Sequence, residues 1–249
     1  MQASPSFGRE QPMSSEVLRE TAQIRQARLE LRRRRLNCMS SPLRHILMRT
    51  GLIRGVKIGD ELKSWDVLKT ARFIEDHVDR NAPVLDIGAY ASEILCILHR
   101  IGYSNLTGVD LNPDIGRMPY ADRIRYVVSD FMHTPFEDRS FAAVTAISVI
   151  EHGFNAPALL AEISRVLKPG GVFIASVDYW PDKIITDGIK VFGMDWCIFS
   201  KDELLAFFKY AETFGFAPLG DISLSTVAPT ISWEGKQYTF SWFAIQKRI

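Results

Sequence analysis

The ten residues Val84-Leu85-Asp86-Ile87-Gly88-Ala89-Tyr90-Ala91-Ser92-Glu93 constrain this chain more than any other stretch. The first half is a short apolar run ending in an acid and a glycine, the pattern of a buried parallel strand feeding a tight turn. The second half opens a helix in which Ile94, Leu95, Leu98 and Ile101 recur at helical spacing. A strand, a turn and a helix in that order present backbone N–H groups and a positive helix end at the carboxyl edge of a sheet. Open α/β sheets bind their ligands at that edge.

The same punctuation recurs downstream. Asn105–Asp110 is a second short strand ending in an acid, and Ile124–Ser129 a third that closes at Asp130. Phe141–Ser148 reads as a fourth strand and Val172–Val177 as a fifth, with a helix begun by Asn155 and Pro157 between them. Ser64 opens a further helix ahead of the first strand, and Ser200-Lys201-Asp202-Glu203 is a capping box. Two strand-like runs, Ile222–Val227 and Lys236–Lys247, end the chain with no helix between them, which predicts an antiparallel pair on an otherwise parallel sheet.

Parallel, sequential strands bring Asp86, Asp110 and Asp130 to one crevice. An acid at the second strand end, here 24 residues past Asp86, suits the hydroxyl pair of a ribose. Asp130 with Phe131 suits an adenine, the acid accepting from its amino group and the ring covering the base. A nicotinamide dinucleotide fits poorly. Its G-x-G-x-x-G turn, counted from Gly88, meets Tyr90 and Glu93, which deny a pyrophosphate close backbone approach. An adenosine ligand without pyrophosphate fits better.

From Ser64 to Lys247 the chain resembles the class I S-adenosylmethionine-dependent methyltransferases, in particular those acting on small molecules. The resemblance rests on five stretches in family order: Val84–Gly88, Gly108-Val109-Asp110, Ser129-Asp130-Phe131 with Pro135-Phe136, Phe141–His152, and Leu167-Lys168-Pro169-Gly170-Gly171. It implies an α/β, Rossmann-like, seven-stranded and mostly parallel sheet with an antiparallel C-terminal strand and helices on both faces. It also implies S-adenosylmethionine as cofactor. The turn after Asp86, with Gly88 and Tyr90, falls to its methionine part, Asp110 to its ribose, and Asp130 with Phe131 to its adenine. Leu111 joins the cofactor-binding set, and Glu93 either accepts from the cofactor's ammonium or is a first-turn acid favoured by the helix dipole. The family turn usually reads D-x-G-x-G-x-G; Tyr90 and Ser92 replace its second and third glycines. The ring at Tyr90 therefore turns outward, stacks on the ligand or blocks the site.

Methyl transfer is an in-line displacement, so the protein must align an acceptor and supply a base where the acceptor has a proton to lose. His152, just past the fourth strand, is the candidate base, with His133 and Asp178 behind it. Relatives with E-x-x-E-H here bind a divalent metal; Ser148 replaces the first Glu, so no metal is expected. The long connection Asp178–Phe199 carries Tyr179, Trp180 and Trp196, which are expected to wall a substrate pocket. The expected reaction is methylation of an oxygen or nitrogen of a small molecule, a sugar or secondary metabolite. Two rivals stand beside it: a non-catalytic methyltransferase-like binding protein, and a methyltransferase of RNA or protein.

Composition narrows the partners. At 249 residues and net charge +1 there is no global electrostatic case for nucleic acid or membrane. The longest apolar run, around Phe141–Ile150, is too short to span a bilayer. Three scattered cysteines, Cys38, Cys96 and Cys197, suit a reducing compartment, and the expected location is cytoplasmic. Residues 1–58 read as an N-terminal extension to a domain of residues 59–249. In the extension, 1–13 are polar and expected to be disordered, and Ser14–Leu36 is a helix ending in Arg32-Arg33-Arg34-Arg35. That run reads first as a solvated helix end favoured by the dipole, and the helix as a contact for a homo-oligomer.

Overall fold

The computed structural model describes residues 15–53 and 55–249; the expected disorder of residues 1–13 lies outside them. The elements run β1 (Ser15–Val17), α1 (Thr21–Arg33), α2 (Pro42–Arg49), α3 (Ser64–His77), β2 (Val84–Ile87), α4 (Ile94–Ile101), β3 (Leu106–Asp110) and β4 (Arg125–Val128). They continue with β5 (Phe141–Ile147), α5 (Ala156–Val166), β6 (Leu167–Tyr179), β7 (Lys190–Val191), β8 (Met194–Asp195), α6 (Lys201–Glu212), β9 (Phe216–Pro218), β10 (Ile231–Trp233) and β11 (Lys236–Lys247).

One mixed sheet organises the molecule, in the order β1-β11-β6-β5-β2-β3-β4. The strands from β4 to β6 are parallel, and β11 runs antiparallel beside β6. Side chains alternate across it with the period of two that a pleat dictates. On β6, Val172 and Ile174 face α1, α3 and α4, whereas Phe173 and Ala175 face α5 and α6. Helices thus cover both faces, and the near-continuous apolar runs of β2 and β6 follow from burial on both sides.

Caps expected from sequence form. Ser200 accepts from Glu203 N while the Glu203 carboxylate takes Ser200 N, at 3.3 and 2.8 Å. Gly102 closes α4 at φ +107°, a conformation that favours glycine.

Two expectations change. The first antiparallel run is not Ile222–Val227. The outer edge of β11 is shared by three short strands: β10 at residues 236–238, β1 at 241–243 and β9 at 245–247. With that edge filled, 222–227 stays irregular. The N-terminal helix likewise starts later than Ser14, because Ser15–Val17 supplies the middle of those three strands. Val17 and Leu18 are fully buried parts of the core rather than of a helical stripe. A Glu20/Gln23 capping box then begins α1, which packs on α3. Of the arginine run, Arg34 holds Glu75 at 2.6 Å and Arg35 sits beyond the helix end.

Candidate active site

The parallel strands end together around a cavity of about 830 Å³, within the range of small-molecule sites. The turn after β2 forms one wall. Gly88 is required there twice over: its φ is +67°, and a Cβ would meet the Val149 methyls at 2.4 Å. The second left-handed residue of the turn is Ala91, at φ +64°. Tyr90 and Ser92 keep ordinary negative φ, so the missing glycines cost no backbone strain there. Tyr90 is half-buried against the core and lines the cavity without closing it.

Asp110 stands opposite at the end of β3. Its Oδ2 accepts from Tyr90 N at 3.0 Å and its Oδ1 from Asn112 N at 2.8 Å, which fixes the carboxylate at the cavity wall. Leu111 and Phe131 line the same end. Two other candidates stand back. Asp130 is exposed, accepts from Met132 N at 2.8 Å and lies outside the cavity wall. Asp86 is buried beneath the turn, accepting from Thr145 Oγ1 at 2.7 Å.

Burial raises the Asp86 carboxyl to about 7. A carboxyl with a folded pKa above its unfolded one contributes stability that is complete below the unfolded value and lost as pH rises through the folded value. Going from about pH 5 to about pH 7 is expected to cost roughly 2–3 kcal/mol through Asp86 alone. Asp86→Asn should therefore flatten the dependence of melting temperature on pH across that window. A slope identical to wild type would contradict this account of Asp86.

Glu93 is held by a residue that the sequence pattern does not single out. Arg28, from α1, is buried with it and makes a bidentate pair, Nη2–Oε2 2.7 Å and Nη1–Oε1 3.0 Å. Cys38 N adds a third bond at 3.2 Å. Glu93 borders the cavity, but its charge is matched from within the protein.

The other end of the cavity holds the chemistry. His152 borders it with Nδ1 buried and unpartnered among the described residues. Burial, with the nearby Lys63 ammonium second, lowers the imidazole to about 4. The ring is thus a neutral acceptor at physiological pH. Beside it Glu151 is fully buried, and neither carboxylate oxygen has a hydrogen-bond partner among the described residues. Burial, then the adjacent Asp178 charge, pushes Glu151 well above the carboxylate range. Asp178 takes the Trp196 indole N–H at 2.8 Å, and Lys63 Nζ lies 3.8 Å from its other oxygen. Lys63 also donates to Ser148 Oγ at 2.6 Å and sits 3.8 Å above the Phe240 ring.

The aromatic wall differs from expectation. Tyr179, Trp180 and Trp196 stand outside the cavity wall. β6 runs on through Tyr179, whose side chain is buried in the core on the α5/α6 face, its hydroxyl bonded to Leu224 O at 2.7 Å. Trp196 is buried behind the wall, and Trp180 packs on the core. The rings that surround His152 at this end are Phe192, at the tip of the β7–β8 hairpin, and Trp233, Tyr238 and Phe240 from the C-terminal hairpin. Glu151 stands next to His152 in the chain but is not among the candidates read from the sequence. Lys63 and the C-terminal rings carried no sequence signal of a site. Among the described residues no group of three or more His, Cys, Asp or Glu is placed to hold a metal ion.

Known proteins match this picture at three levels. Residues 85–175 match a family model described as a methyltransferase domain. The sterol 24-C-methyltransferase of Gibberella zeae is 37% identical over 98 residues, 36% of this chain and 26% of that protein. The cycloartenol-C-24-methyltransferase of Arabidopsis thaliana is 35% identical over 94 residues, 37% of this chain and 27% of that protein. The matched segment therefore spans about a quarter of the length of these relatives. In fold, the chain is similar to geranyl diphosphate C-methyltransferase from Streptomyces coelicolor A3(2), with TM-score 0.54, 15% identity, and 84% and 99% of the two chains covered. A methyltransferase from Methanosarcina mazei gives TM-score 0.53 at 18% identity, covering 71% and 97%. Over residues 85–175 the chain is thus similar to a methyltransferase domain, and in fold it is similar to S-adenosylmethionine-dependent methyltransferases.

Proposed function

We propose that this chain transfers the methyl group of S-adenosylmethionine to a carbon of a small, largely apolar acceptor. The observation that carries the reading is one cavity with two unlike ends. At one end Asp110, Leu111 and Phe131 border a turn that stays open; at the other, aromatic rings surround His152 and Glu151. When bound, S-adenosylmethionine supplies a methyl group on a positively charged sulfur. Asp110 suits the ribose hydroxyls, since its oxygens keep acceptor capacity after their backbone bonds. Phe131 and Leu111 suit the flat faces of the adenine. A carbon acceptor is favoured over the expected oxygen or nitrogen of a sugar by the apolar, ring-lined wall, and by the two sterol carbon-methylating relatives.

In such a transfer the acceptor's π electrons form the new carbon–carbon bond to the methyl that the bound group supplies, and the acceptor is left positively charged. The methylated carbon then sheds a proton, and neutral His152 is the acceptor at this end of the cavity. The rings exclude water and offer negative faces to a developing positive charge.

Substituting Asp110→Ala removes two charge-assisted acceptors. It is expected to weaken binding of S-adenosylhomocysteine by about 2–4 kcal/mol, roughly 30- to 1000-fold. Calorimetry on both proteins checks this; equal affinities would remove Asp110 from the site. Incubation with labelled S-adenosylmethionine and a panel of sterols, isoprenoids and phenols tests the acceptor class. Label on carbon in the product supports the reading, whereas label on oxygen restores the earlier expectation.

A further inference from the structure

From Leu36 to Gly59 the chain has no aspartate or glutamate and carries Arg44, His45, Arg49, Arg54 and Lys57. Helix α2 lies in this stretch, capped by Ser41, whose Oγ accepts from Arg44 N at 3.2 Å. Leu43 and Ile46, three residues apart on one flank, are 66% and 57% exposed, and Leu52 just beyond the helix is 73% exposed. Arg44, Arg49 and Lys57 are exposed among them. Single exposed leucines are ordinary on a protein surface. Three large aliphatic side chains within ten residues of an acid-free basic segment are the composition of a helix that lies in a bilayer interface.

A second observation joins this segment to the cavity. The chain leaves it through Gly59, Asp60 and Leu62, all of which line the cavity. Leu62, Leu111 and Phe192 line it while remaining 40%, 56% and 85% exposed, so the mouth has an apolar rim. Phe192 projects from its hairpin tip, where the exposed Lys190 ammonium lies 3.7 Å from the Asp195 carboxylate. The nearest acids along the chain are Asp60 and Glu61, at the segment's end.

We propose that α2 and the apolar rim dock this protein on the surface of an anionic bilayer, with the cavity mouth against it. Leu43, Ile46 and Leu52 enter the boundary between headgroups and acyl chains. Arg44, Arg49 and Lys57 lie among the anionic headgroups, each adding electrostatic attraction that salt screens. A second copy of the chain is a poor occupant, because a symmetric contact would face basic segment against basic segment. The proposal concerns a surface association; no helix among the described residues is long and apolar enough to cross a membrane. It departs from the expectation, drawn from net charge and the lack of a long apolar run, that a membrane is no partner. A net charge of +1 conceals a local segment that is wholly basic.

The test is co-sedimentation of the full chain with phosphatidylcholine vesicles, with and without about 30% phosphatidylserine, at roughly 0.05 M and roughly 0.5 M salt. Wild type is expected to sediment with the anionic vesicles at low salt and to be largely released at high salt. The double substitution Leu43→Glu, Ile46→Glu should weaken that association at least about tenfold. Arg44→Glu with Arg49→Glu should abolish the preference for anionic vesicles. Unchanged affinity for S-adenosylhomocysteine in both variants guards against misfolding. Wild type that binds S-adenosylhomocysteine yet stays in the supernatant would overturn the docking proposal and leave the methyltransferase reading intact. So would a double variant that sediments as wild type does, or a vesicle-free dimer that the same substitutions dissolve.

Discussion

Replacing His152 with alanine is expected to lower kcat by about 10²–10⁴, the range for loss of a general base, while leaving affinity for S-adenosylhomocysteine near wild type. The expectation follows from position and protonation together. The ring borders the cavity, and its Nδ1 is buried without a partner among the described residues. Its pKa sets the pH profile. Because burial lowers the imidazole to about 4, the neutral form is present at neutral pH and is lost as pH falls toward that value. A kcat that stays flat from pH 8 down to about 5 and then declines accords with His152. A break near the ordinary histidine value would assign the base to another group. Glu151→Gln separates the two neighbours: a loss as large as that of His152→Ala would shift the role to the buried carboxyl.

The second large effect is on stability. Arg28→Met is expected to destabilise the protein by about 3–5 kcal/mol, because it strands a buried carboxylate. Arg28 and Glu93 are 2% and 1% exposed at the side chain, and their two hydrogen bonds tie α1 to the start of α4. At this chain length the loss corresponds to a fall of roughly 6–20 °C in melting temperature. Adding Glu93→Gln should recover part of it, since a neutral amide tolerates burial better than an unpaired charge. Thermal melts of the two single variants and the double variant measure the coupling. Additive losses would mean that the pair contributes nothing as a pair.

These two residues mark the limits of what the sequence discloses. The parallel strands were legible because burial on both faces leaves continuous apolar runs, as in Val84-Leu85-Asp86-Ile87 and Phe141–Ile147. The helices α3, α5 and α6 were legible through periodicity and caps. Asp110, Leu111 and Phe131 could be placed beside the cavity because a strand end fixes where the next residues stand, without knowledge of any distant partner.

The rest depends on partners far along the chain. Arg28 looks like one more cation on a charged helix, and its burial is explained by distant partners, Ser64 and, 65 residues on, the Glu93 carboxylate. β1 is three residues long, too short for a period to register, and exists because the edge of β11 is there to receive it. Tyr179 falls outside the cavity wall because β6 continues further than its apolar core, Val172–Val177, suggests, while Trp196 is buried and Trp180 packs on the core. The rings that line the cavity instead come largely from β10 and β11, whose alternation gives no hint of which face meets a ligand.

The turn after β2, where two family glycines are missing, is the place where the assignment is most exposed. Its left-handed positions are Gly88 and Ala91, Tyr90 keeps an ordinary backbone, and the cavity beside it stays open. Calorimetric titration of S-adenosylhomocysteine into the wild-type chain tests that claim directly. One molecule bound per chain, with affinity in about the micromolar range, is the predicted result. No heat at about millimolar ligand, from protein that melts cooperatively, would contradict it and leave a methyltransferase fold without its cofactor.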